Sequence, residues 1–103
     1  MIFQPHRYSR STLLFKEFID CLRDVDTLII LDIYSAGEQN FQKISSYDFV
    51  NALIEKKKNA FFAKNLKEIC KILESEIEGN EIIVTQGAGN IVDISNSLKA
   101  IFK

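Results

Sequence analysis

Seven consecutive residues, Thr27 to Ile33 (TLIILDI), constrain this chain more than any other stretch. Five of the first six are aliphatic or β-branched, with no polar partner at alternate positions. A strand with one wet face would alternate, so this run reads as a strand covered on both faces. Covering both faces takes helices, and the flanking sequence supplies them. Leu14, Phe15, Phe18, Ile19 and Leu22 recur at helical spacing, which predicts an amphipathic helix over roughly 11–23. Ahead of it, Ile2–Gln4 reads as a short extended start.

Beyond the central run the alternation continues. Residues 34–44 hold Gly37 and many polar side chains and read as a loop. A helix then starts near Ser45, with Asp48 placed for a capping box and Phe49, Val50, Leu53 and Ile54 facing inward. It ends in Lys56-Lys57-Lys58, where cations complement the helix dipole. Ala60–Ala63 reads as a strand, and a helix follows from Asn65 with Leu66, Ile69, Cys70 and Leu73 inward. Gly79-Asn80 is a stop signal, Glu81–Thr85 (EIIVT) a last strand, and Ile91, Ile94, Ser95, Leu98 and Ile101 trace a last helix. Asn90 and Asp93 are its expected cap and partner.

Strand and helix thus alternate four times. Parallel strands need helical crossovers, so the expected class is α/β: a small, mostly parallel, Rossmann-like sheet with helices on both faces. The 103 residues fit one domain, with one modest core. The first strand starts at Met1, so the chain reads as a domain lacking an opening segment.

The net charge of −1 gives no global pull toward nucleic acid, so any anion site must be local. Cys21 and Cys70 lie in separate helices, with neither a CxxC pair nor a second histidine to complete a metal site. They read as reduced, buried thiols. With no long apolar run and no signal peptide, no membrane partner is expected and the address is cytoplasmic.

Ligands of open parallel sheets bind where strands end and helices begin, which selects residues 4–11, 32–40 and 86–91. The first is FQPHRYSRS (3–11), with the only proline, the only histidine and two of the three arginines. His6, Arg7 and Arg10 crowd the positive end of a helix, where each cation costs a few tenths to about 1 kcal/mol. An anion bound there, a phosphate or carboxylate, removes the conflict. From the residues alone this stands beside a second reading, in which both arginines are solvated and His6 packs on the strand end.

In Asp32-Ile-Tyr-Ser-Ala-Gly-Glu38, Asp32 or Glu38 can hold Arg7, but composition favours plain loop chemistry with a turn at Gly37. Gln86-Gly-Ala-Gly-Asn90 falls short of a dinucleotide fingerprint and has neither the lysine nor the length of a P-loop. It reads first as a tight strand-to-helix turn. No nucleophile–base pair suggests a hydrolase.

Together, FQPHRYSRS at 3–11, DIYSAGE at 32–38 and QGAGNI at 86–91 resemble the C-terminal domain of the Mur ligases, over essentially the whole chain. PHRYSR is the most specific of the three. The resemblance implies a domain of an ATP- and magnesium-dependent amide ligase of peptidoglycan precursor synthesis, of the kind that joins L-alanine to UDP-N-acetylmuramate. It further implies that His6, Arg7 and Arg10 face the reacting carboxylate, phosphate and amino acid. Gly87, Ala88, Gly89 and Asn90 then line the same cleft.

The P-loop domain and the UDP-sugar domain of that family have no counterpart in this sequence. The isolated chain is therefore expected to be inactive, to hold neither ATP nor magnesium alone, and to pair with the missing domains. A stand-alone anion-binding or interaction module is the alternative. Self-association through a sheet face left bare is a further expectation.

Overall fold

The computed structural model describes residues 1–41, 43–77, 79, 81–87 and 89–101. In chain order the elements are β1 (Ile2–Gln4), α1 (Tyr8–Leu13), α2 (Phe15–Leu22), β2 (Thr27–Leu31) and α3 (Ser46–Glu55). Then come β3 (Asn59–Ala63), α4 (Leu66–Glu76), β4 (Thr85–Gly87) and α5 (Ile91–Ile101). The strands form one parallel sheet in the order β3-β2-β1-β4. The α/β class with a parallel, Rossmann-like sheet is thus what the chain adopts.

The unbroken apolar run explains the layering. Neighbouring residues of a strand point to opposite faces. Leu28 and Ile30 join Phe3, Ile19, Leu22, Phe49, Val50 and Leu53 on one face. Ile29 and Leu31 join Ile2, Ile69, Leu73, Ile91 and Leu98 on the other. So α2 and α3 cover one side, and α4 and α5 the other. The bare sheet face behind the expected self-association is not what the described residues show: Ile2 and Phe3 are both buried. The exposed large apolar side chains lie on loops and helices, such as Phe41, Ile82 and Leu13. No described helix is long and apolar enough to cross a membrane.

Capping signals placed two helix starts correctly. Asp48 accepts from the Ser45 amide at 2.9 Å, and Asn65 Oδ1 accepts from the Glu68 amide at 3.0 Å. The expected start at Asn65 therefore holds.

Four readings need correction. The first helix begins at Tyr8 and is divided at Leu14 (φ −107°, ψ 18°), instead of running unbroken over 11–23. The last strand is Thr85–Gly87, because β1 is only three residues long and pairs Ile2 with Thr85 and Gln4 with Gly87. The apolar EIIV ahead of it lies short of the sheet, with Ile82 exposed and Ile83 packed on the second core face. Ile54 points to solvent, and Cys21 is exposed while Cys70 is half-buried.

The order β3-β2-β1-β4 carries the chain outward from β1 to β3, then back across to β4. Between β1 and β4 the direction of winding reverses. Parallel α/β sheets bind ligands at the carboxyl edge beside such a reversal.

Candidate functional site

Three chain segments meet at that carboxyl edge: the exit of β1, the exit of β2 and the β4–α5 turn. Gln4 ties them together. It is only 4% exposed, and its Nε2 donates to Asn90 Oδ1 at 2.6 Å and to the Asp32 carbonyl at 3.3 Å. Asn90, expected as a helix cap, thus spends its side-chain oxygen on the central strand.

Pro5 is buried and lacks an amide hydrogen, yet the strand pairing resumes past it. The Tyr34 amide donates to the Pro5 carbonyl at 2.9 Å, and the Arg7 amide to the Tyr34 carbonyl at 2.7 Å. His6 pairs with Tyr34 in a parallel bridge, and their rings stack at 5.6 Å, 8° from parallel. Arg7 then turns the chain into α1 with φ 69°, a conformation that side chains rarely adopt and that costs about 1–3 kcal/mol. Past the turn, Arg7 borders the same open groove as His6 and Arg10. That groove encloses about 410 Å³ and is walled by Ser9, Leu13 and Leu14. His6, Arg7 and Arg10, singled out in the sequence, are therefore neighbours on one cleft. A groove of about 490 Å³ bordered by Met1, Val25, Thr27 and Ile77 lies at the amino edge, away from this chemistry.

Glu38 was expected to be a solvated loop residue, and it is not. Its Oε1 accepts from the Ser9 amide at 3.0 Å, its Oε2 accepts from the Ser9 hydroxyl at 2.6 Å, and Arg7 Nη1 lies 3.9 Å from Oε2. The Ser9 hydroxyl and amide hold its carboxyl below the usual range, with Arg7 and the Tyr8 amide adding to them and desolvation opposing. A carboxylate of the chain itself thus sits at the start of α1, with its short bonds made to Ser9 and Arg7 farther off. Asp32 is exposed and offers the site its backbone carbonyl through Gln4.

The glycines make room for protein. A Cβ on Gly87 would sit 2.6 Å from the Gln4 carbonyl oxygen, and one on Gly89 2.6 Å from the Tyr34 ring. Gly87 is the last residue of β4 and Gly89 packs on the aromatic that stacks with His6. Ala88, also expected as cleft lining, lies outside the described residues. Sequence reasoning missed Ser9, Tyr34 and the bridging role of Gln4. All three sit inside the quoted motifs, but their partners are 28 to 86 positions distant or nearly so, and spacing carries no trace of that.

Among the described residues no cluster of three or more His, Cys, Asp or Glu side chains is placed to hold a metal ion. The carboxyl edge offers two guanidinium groups and an imidazole, which suit an anionic ligand.

The fold and this edge define a class: a parallel Rossmann-like α/β domain with a cationic pocket beside its winding reversal. No family model matches the chain. Individual relatives do. It is 40% identical over 98 residues to the UDP-N-acetylmuramate–L-alanine ligase of Agathobacter rectalis, covering 95% of this chain and 21% of that ligase. The ligase of that name from Crocosphaera subtropica is 39% identical over 93 residues, 90% of this chain and 18% of the ligase. That of Wigglesworthia glossinidia brevipalpis is 40% identical over 99 residues, 95% and 21% respectively. The resemblance to the Mur ligases read from three motifs therefore extends over nearly the whole chain, while the chain spans about a fifth of the length of the curated relatives it matches.

Proposed function

We propose that this chain is the C-terminal, amino-acid-side domain of a cytoplasmic ligase that joins L-alanine to UDP-N-acetylmuramate at the expense of ATP. The observation that carries the reading is the gathering of His6, Arg7 and Arg10 on one groove at the carboxyl edge, in a chain similar to ligases of that name. ATP and magnesium belong, in this reading, to the other four-fifths of the complete enzyme, which supplies the activated muramyl carboxylate as an acyl phosphate.

What this chain contributes is electrostatic. Negative charge builds on the phosphoryl and carbonyl oxygens as the amine attacks, and cations already in place need no reorganisation to meet it. Arg7 and Arg10 offer planar forks suited to carboxylate or phosphate oxygens. His6, its ring fixed against Tyr34, offers a directed N–H. Leu13 and Leu14 give the groove an apolar wall.

The test is a chimera. This chain replaces the matched fifth of the Agathobacter rectalis ligase, and phosphate release is followed with L-alanine and UDP-N-acetylmuramate. The chimera is expected to turn over, and Arg7→Ala or Arg10→Ala within it to lose about 1.5–3 kcal/mol of transition-state stabilisation, mostly in kcat. The isolated chain is expected to release no ADP. Unchanged kinetics in both arginine variants would defeat the assignment.

A further inference from the structure

The cations of the carboxyl edge are set by a loop some thirty positions away in sequence. Tyr34 exchanges backbone hydrogen bonds with Pro5 and Arg7 and stacks on His6. The chain then reverses in a tight turn, closed by the Glu38 amide on the Ser35 carbonyl at 3.0 Å, with Ala36 and Gly37 both at positive φ. The turn returns Glu38 to the start of α1, where Ser9 donates to both carboxylate oxygens.

We propose that Glu38 is a positioning residue for Arg7: it anchors the first turn of α1 through Ser9, so that the guanidinium faces the groove shared with His6 and Arg10. The functional consequence rests on the anion-site reading above, while the positioning itself rests on geometry alone. A carboxylate acting as a resident counter-ion would approach Arg7 at about 2.7–2.9 Å, in a two-pronged pair. Here the short bonds go to Ser9, and Arg7 Nη1 stays 3.9 Å away with its side chain 48% exposed. Glu38 thus steers the arginine and leaves its donors available. Arg7 also has a strained backbone, so its direction depends on what anchors the residues after it.

The two roles predict opposite signs. Removing a counter-ion tightens the binding of an added anion, whereas removing an anchor weakens it. Ser9→Ala cuts one Glu38 bond and leaves the Glu38 charge in place; because Ser9 also borders the groove, the Arg7 order parameter without phosphate is the readout that separates the roles. Glu38→Gln provides the complementary change, removing the charge while keeping an acceptor for the Ser9 amide.

The experiment uses the full chain labelled with 15N, reading the Arg7 Nε–H order parameter and a titration with inorganic phosphate. In Ser9→Ala the Arg7 order parameter is expected to fall and phosphate binding to weaken about threefold or more. Glu38→Gln is expected to shift both readouts in the same direction, by less. An unchanged Arg7 order parameter in Ser9→Ala overturns the proposal, as does tighter phosphate binding in Glu38→Gln with Ser9→Ala unaltered. Wild-type chain that binds no phosphate sinks the anion-site reading instead, and the order parameter still decides the role of Glu38.

Discussion

Glu38 shows how a single side chain can change its meaning once the chain is folded. In sequence it is one acid in a polar loop; in the structure its carboxylate serves the start of a helix that has no local cap, since Arg7 occupies the cap position without a side-chain bond. The hydrogen bonds from Ser9 lower its pKa, and the sign of the linkage follows. A carboxyl held below its unfolded value stabilises the fold at pH above that unfolded value. The contribution fades as pH falls through the ordinary carboxylate range to the depressed folded value. The difference in melting temperature between wild type and Glu38→Gln is therefore expected to be largest near neutrality and to close on acidification. Melts across that range check it. A difference that grows toward low pH would contradict the bonding seen here. The site glycines carry a related lesson. Gly-x-Gly read first as a tight turn, and what crowds the two glycines is the Gln4 backbone and the Tyr34 ring. Composition records that room is needed and is silent about the occupant.

Elements were legible where a local rule decides them. Unalternating aliphatic residues marked β2, and Ser45 with Asp48 and Asn65 with Glu68 marked two helix starts, because each signal is complete within a few residues. Two elements were misplaced because distant partners decide them. The extent of β4 is set by the length of β1 rather than by the apolar EIIV run. The start of α1 is set by Tyr34 and Glu38, which hold residues 5–9 ready to turn. The end of α3 is a case the sequence half reveals. Lys58 donates to the Leu53 carbonyl at 3.0 Å and Lys57 to that of Ile54 at 2.8 Å, a Schellman closure with Lys57 at φ 61°. That position suits glycine, and a lysine there is strained. Lys57→Gly is expected to stabilise the chain by about 0.5–1 kcal/mol, the relief of strain outweighing the greater freedom of glycine in the unfolded chain. Urea unfolding measures it. A loss of stability would mean that the Lys57 side chain contributes more than its backbone costs.

At the scale of the whole molecule, the central sheet divides the core into two faces with different duties. The face under α2 and α3 is aromatic: Phe49 is fully buried and its ring lies 4.8 Å from Phe15, 6.2 Å from Phe18 and 6.3 Å from Phe3. That cluster joins β1 to the helix pair that begins at the cationic edge. The opposite face, around the fully buried Ile69, joins the sheet to α4 and α5. Truncating either residue removes buried surface and leaves a cavity. Phe49→Ala is expected to cost about 3–5 kcal/mol and Ile69→Ala about 2–5. Against a total of about 5–15 kcal/mol, both lower the urea midpoint substantially. They should differ in where the chain loosens. Hydrogen exchange is expected to quicken in α1 and α2 in Phe49→Ala, and in α4 in Ile69→Ala, because each helix depends on the cluster it covers. Only the first change reaches the residues that carry Arg7 and Arg10, so only it should also weaken phosphate binding at protein concentrations and urea levels where both variants remain folded. Equal loss of binding in the two would show that the sheet transmits the damage from one face to the other, and that the cationic edge depends on the whole core rather than on the aromatic half beneath it.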